Sequence, residues 1–116
     1  MALTSDGYLL RIFIGESDRI DGKPLYEWMV RQAKLRGMAG ATAIRGMMGF
    51  GAHTKVIHTF KIERLSEDLP IVIEVVDTKD KIEDFLAYAE SSIKRGMMAT
   101  VEEVQVRVYR GGEIEK

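Results

Sequence analysis

Two stretches of the chain echo each other. Lys34-Leu35-Arg36-Gly37-Met38-Ala39 resembles Ile93-Lys94-Arg95-Gly96-Met97-Met98. Each follows a segment with helical spacing and precedes a β-prone segment. Leu25, Trp28, Met29 and Ala33 predict the first helix, with Pro24 in its first turn and Gly37 as its left-handed stop. Ile82, Phe85, Leu86, Ala89 and Ile93 predict the second, capped by Thr78 and stopped near Gly96. Tyr8 to Ile14 alternates, with Leu10, Ile12 and Ile14 on one face. Ala41-Thr42-Ala43-Ile44-Arg45 reads as a second strand. Leu69 to Val76 is nearly all apolar and reads as a central strand. Val101 to Arg110 contains the last, with Val104, Val106 and Val108 inward. The order is β-α-β twice.

Two such units interleave into an α+β, ferredoxin-like β-α-β-β-α-β sandwich. It has a four-stranded antiparallel sheet, two helices on one face and a long hairpin loop between strands 2 and 3. The 116 residues suit one domain. The core is expected over 8–110, the loop over 49–69 and a mobile tail over 111–116. The face away from the helices carries Leu9, Phe13, Val72 and Val76, too much apolar surface to leave wet. A homo-oligomer, a cyclic trimer or a dimer, is the economical cover.

Composition narrows the function classes. A net charge of −1 does not mark the chain as a nucleic-acid binder. The lack of cysteine excludes disulfides, thiolate metal sites and cysteine nucleophiles. No apolar run suits a membrane span and the start is not a signal peptide, so a cytoplasmic location is expected. No acid, base and nucleophile assemble in the pattern, so no enzyme is expected and no catalytic residue is assigned. Glu74, a carboxylate in an apolar strand, is expected to pair with a neighbouring subunit's cation. Met38, Met47, Met48, Met97 and Met98 are expected to fill core or cleft.

The connection after Arg45 concentrates glycine and holds both histidines. It is far longer than a hairpin needs, and such loops tend to carry function. Gly46, Gly49 and Gly51, with Phe50 among them, suit close backbone approach to a ligand, or merely a bulge and a flexible loop. Arg107 and Arg110 suit phosphate, or surface pairing with Glu102, Glu103 or Glu113. Arg45, Lys94 and Arg95 are further candidates of that kind. Thr42 reads by itself as a β-branched strand residue. His53 and His58 lack enough companion ligands for a metal site, and with Lys55 they read as a partner-facing surface.

At these residues a family resemblance appears. Gly49-Phe50-Gly51, Leu69-Pro70, Ile73-Glu74-Val75-Val76, and Val101-Glu102-Glu103 leading to Arg107 and Arg110 resemble the nitrogen-regulatory PII signalling proteins. The uncharacterised prokaryotic PII-like proteins are more similar still, through Gly22-Lys23-Pro24-Leu25-Tyr26, Gly40-Ala41-Thr42, Arg45-Gly46, Gly49-Phe50-Gly51 and Leu65-Ser66-Glu67-Asp68-Leu69-Pro70. That resemblance runs from Tyr8 to Tyr109. It implies a trimeric regulatory protein that binds an adenine nucleotide, as effector rather than required cofactor, in clefts between subunits. The implied nucleotide-binding residues are Thr42, Arg45, Gly46, Gly49, Phe50, Gly51, Arg95, Arg107 and Arg110. The implied protein partner, a membrane transporter or channel, would meet the loop at His53, Lys55 and His58.

The departures from PII are specific. The loop after the second helix, Lys94 to Ala99, has one glycine where PII has a glycine-rich, lysine-bearing phosphate loop. The lysine after Leu-Pro is Ile71, and no tyrosine lies between Gly51 and Leu69 to accept a uridylyl group. Fewer phosphate ligands favour AMP or ADP over ATP. The alternative is a CutA-like metal-handling or purely structural trimer without nucleotide sensing.

Overall fold

The computed structural model describes residues 6–51 and 68–111. The elements are β1 (Gly7–Gly15), β2 (Arg19–Ile20), β3 (Lys23–Pro24), α1 (Leu25–Leu35), β4 (Ala41–Arg45), β5 (Pro70–Asp77), α2 (Lys79–Ser92) and β6 (Met98–Val104). The main sheet runs β4-β5-β1-β6, and all its pairings are antiparallel. This is the expected ferredoxin-like sandwich. A two-stranded ribbon, β2 with β3, is added between β1 and α1.

One face of the sheet makes the core. Leu10, Ile12 and Ile14 of β1 and Ile71, Ile73 and Val75 of β5 are buried against Leu25, Met29 and Ala33 of α1 and Ile82, Phe85 and Ala89 of α2. The period-2 pattern of the strands and the helical pattern supply matching apolar surfaces. Gly37, with φ of +75°, turns the chain out of α1 in the conformation only glycine adopts cheaply. By contrast, α2 already ends at Ser92 with an extended Ile93 as its C-cap, so Gly96, with φ of +80°, bends the following turn and does not stop the helix. Tyr88 stacks on Trp28 with ring centroids 5.7 Å apart, tying the outer sides of the helices together.

Several expectations are corrected. Pro24 precedes α1 rather than entering its first turn, because it pairs with Arg19 in the ribbon. Thr78 holds the N-cap position without a side-chain cap bond; its own N–H donates to Asp77 Oδ1 at 2.7 Å. The last strand ends at Val104, and Val108 is exposed. Met38 and Met97 pack against the core, whereas Met47 is 95% exposed and Met48 and Met98 are also exposed. The central strand β5 has one face on the helices and the other open, so its apolar run is not buried on both sides.

The open face is ordered in rows across the strands. Ile44, Val72, Phe13 and Met98 form an apolar row spanning all four strands. Beside it runs a polar row of Thr42, Glu74, Arg11 and Thr100. Leu9 and Val76 lie beyond. Arg11 Nε donates to Glu74 Oε2 at 3.0 Å and Nη1 to Glu102 Oε1 at 2.6 Å. Glu74, expected to pair with a neighbouring subunit, finds a cation within its own chain, because register sets Arg11 directly opposite it. Bonding to Glu74, then to Glu102, raises the Arg11 pKa above its ordinary value.

Candidate functional site

The antiparallel register gives the sheet two distinct ends. At the loop end, β4 stops at Arg45, β5 starts at Pro70, β1 stops at Gly15 and β6 starts at Met98. At the opposite end lie Ala41, Asp77, Gly7 and Val104.

The loop end holds Arg45, Gly46, Gly49, Phe50 and Gly51, with Arg95 in the turn that leads into β6. Gly46 N–H donates to Pro70 O at 2.7 Å, holding the outgoing and returning chains side by side. A Cβ on Gly46 would lie 2.8 Å from Pro70 Cγ, so the approach requires glycine. Gly49 has φ of +150°, and Phe50 beside it is 68% exposed. Arg95 lines a cleft of about 390 Å³, together with Arg19, Asp21, Ile93 and Lys94.

Acidic groups missed in the sequence surround this end. Glu16 Oε2 accepts from Arg45 Nη1 at 2.9 Å, and Glu16 N–H donates to Leu69 O at 2.8 Å. Asp18 Oδ2 accepts from Gly15 N–H at 2.8 Å, and Asp68 Oδ1 from Ser17 N–H at 3.0 Å. The β1–β2 loop thus clamps both stubs of the long connection. An Asp two or three residues after a strand-ending glycine was the available signal, since such side chains bond nearby backbone.

The opposite end receives Arg107 and Arg110. After β6 the chain packs Val106 against Gly7. It then brings Tyr109 Oη to Ala39 O at 3.4 Å, a weak contact. Both arginines are exposed. Thr42 lies between the ends, exposed on the open face opposite Glu74. The nine nucleotide candidates are therefore not gathered in one chain. Arg107 and Arg110 are separated by the length of the sheet from the Gly46–Gly51 segment.

Asp77 is the one fully buried charged residue among those described. Its Oδ2 accepts from Ala39 N–H at 2.8 Å and lies 3.7 Å from Lys81 Nζ, while Oδ1 takes Thr78 N–H. It is a structural knot between the α1–β4 turn and α2. His53, Lys55 and His58, and the expected strand arm from Val56 to Ile62, lie outside the described residues. Among the described residues no three His, Asp or Glu side chains converge as a metal site, and no helix is long and apolar enough to cross a membrane.

The model of the DUF190 family, described as uncharacterized ACR, COG1993, matches residues 7–106. The chain belongs to this family. A UPF0166 protein of Aquifex aeolicus is 41% identical to it over 98 residues, 84% of this chain and 90% of the relative. The UPF0166 protein MJ1524 of Methanocaldococcus jannaschii is 31% identical over 103 residues, 89% and 92% of the two chains.

Solved structures similar to this DUF190 chain share its fold at low identity. A Thermus thermophilus protein assigned as PII-like in signalling superposes with a TM-score of 0.63, at 17% identity over 89% of this chain and 91% of its own. CPII of Thiomonas intermedia, bound to ADP, AMP and acetate, superposes with a TM-score of 0.60, at 16% identity over 88% and 89%. The fold is PII-like, and these relatives are named as uncharacterised or PII-like signalling proteins rather than as enzymes.

Proposed function

We propose that this DUF190 protein is a trimeric PII-like regulator that binds an adenine nucleotide between subunits and presents its 49–69 loop to a protein partner. The observation that carries this reading is the separation of the candidate residues. One chain puts its glycine-rich segment at one end of the sheet and its arginine-bearing segment at the other. The heterologous contacts of a cyclic trimer set unlike patches of neighbouring chains against each other, so a cleft between subunits can gather what one chain keeps apart. The apolar row on the open face supplies the surface for that contact. The fold likeness to CPII, a protein solved with ADP and AMP, supports the ligand class.

Gly46, Gly49, Phe50 and Gly51 would form one wall, with Thr42 on the adenine and Arg45 and Arg95 towards phosphate. Arg107 and Arg110 would come from the neighbouring subunit. The α2–β6 turn offers one glycine, Gly96, so side chains limit how closely its backbone N–H groups can approach a phosphate chain. AMP or ADP is accordingly preferred to ATP. His53, Lys55 and His58 would face the partner, with a membrane transporter or channel the class proposed.

Calorimetric titration of the assembled protein with AMP, ADP and ATP is the test. Saturable binding of AMP or ADP is expected. Arg107→Ala should weaken it by about tenfold or more, the loss of a charge-assisted hydrogen bond. Absence of heat or thermal shift with all three nucleotides at millimolar concentration would end this reading.

A further inference from the structure

We propose that Glu16 sets the phosphate-number preference of the nucleotide site by occupying Arg45. The inference rests on the proposed nucleotide reading and deepens it. Arg45 stands at the end of β4, immediately before Gly46, with its side chain 62% exposed. Its guanidinium is engaged by Glu16 at 2.9 Å, a charge-assisted hydrogen bond. Glu16 is not a loosely held surface carboxylate. Its side chain is 25% exposed, and its N–H is bonded to Leu69 O where the long connection returns to the sheet.

The surroundings add negative charge. A Cβ on Gly15 would lie 2.8 Å from Asp68 Oδ1 and 3.4 Å from both Asp18 carboxylate oxygens. Asp18 and Asp68 therefore flank Gly15, the residue before Glu16, at the same end of the sheet as Arg45. A phosphate group arriving there either displaces Glu16 from the guanidinium or sits beside its charge. The penalty grows with each charge on the ligand. Unit charges ~6 Å apart in a water-like dielectric change affinity about threefold per charge. Glu16 thus filters against long phosphate chains while Arg45 still contacts a short one. Glu16 joins Arg45, through its carboxylate, to Leu69, through its N–H, so a ligand that displaces the carboxylate releases Arg45 from that link.

The test measures AMP, ADP and ATP affinity by calorimetry, in EDTA, for the wild type, Glu16→Gln and Glu16→Asp. Glu16→Gln should tighten all three. The gain should rise along the series, from about tenfold for AMP, with roughly two charges, to several tens-fold for ATP, with roughly four, the outer charges lying farther away. Glu16→Asp keeps the charge and should retain the wild-type ratios, which separates charge from folding damage. Binding of ATP by Glu16→Gln alone would also support the filter. Equal changes for all three nucleotides, or none, would overturn it while leaving the nucleotide site standing. If neither the wild type nor Glu16→Gln binds any nucleotide, the site itself fails and the filter fails with it.

Discussion

Asp77→Ala is expected to lower the stability of the protein by about 3 kcal/mol, and by more if no water enters the space left. The carboxylate is fully buried and accepts from Ala39 N–H and Thr78 N–H. Removing it leaves two backbone donors without an acceptor and Lys81 without its partner. Each buried donor left unsatisfied costs roughly 1–3 kcal/mol. Asp77→Asn should be intermediate, because an amide supplies one acceptor oxygen and turns an NH2 group towards a second N–H. Thermal melts at fixed protein concentration check this, with a drop of roughly 10–20 °C expected for the alanine variant. A melt within a few degrees of the wild type would show that the knot is not a keystone of the fold.

Phe13→Glu is expected to convert the proposed trimer into folded monomers. Phe13 lies in the apolar row between Val72 and Met98, on the face the helices leave uncovered. Burial of such a side chain is worth roughly 1.5–3 kcal/mol, and burying an unpaired carboxylate costs several more. The effect recurs in every subunit, so association should weaken by several orders of magnitude. The core lies on the other face and the monomer should keep its native circular dichroism. Light scattering after size exclusion gives the mass. An unchanged oligomeric mass for Phe13→Glu would place the interface elsewhere, and Arg31→Glu on the outer side of α1 is the matched control.

The two variants separate stability within a chain from association between chains. They also bear on the nucleotide reading. A Phe13→Glu monomer should lose nucleotide binding even though Arg45, Gly46 and Arg107 are all intact, because the cleft would no longer form. Retained affinity in a proven monomer would put the ligand inside one chain instead.

How much was legible in the sequence follows from the range of each interaction. The helices could be read from local spacing, as Leu25, Met29 and Ala33 or Ile82, Phe85 and Ala89 show. The left-handed stop at Gly37 could be read as well, since a single residue type carries it, whereas α2 ends at Ser92, before the Gly96 that its sequence suggested as a stop. The role of Glu74 could not. Its partner Arg11 is 63 residues away in sequence and meets it only through strand register. The methionines divide by their place in the fold: Met38 and Met97 pack on the core, whereas Met47 and Met48 follow the last sheet residue of β4 and are exposed in the single chain.

The doubled β-α-β order, the buried faces of the helices and strands, and the family resemblance were all written in the linear chain. Periodicity and motif are local properties, and they survive without coordinates. Three further facts needed the folded chain: Glu16 holds Arg45, Asp77 is a buried knot, and Arg107 and Arg110 lie at the opposite end of the sheet from Gly46. Each of these depends on antiparallel pairing between distant segments, whose register a one-dimensional pattern does not encode.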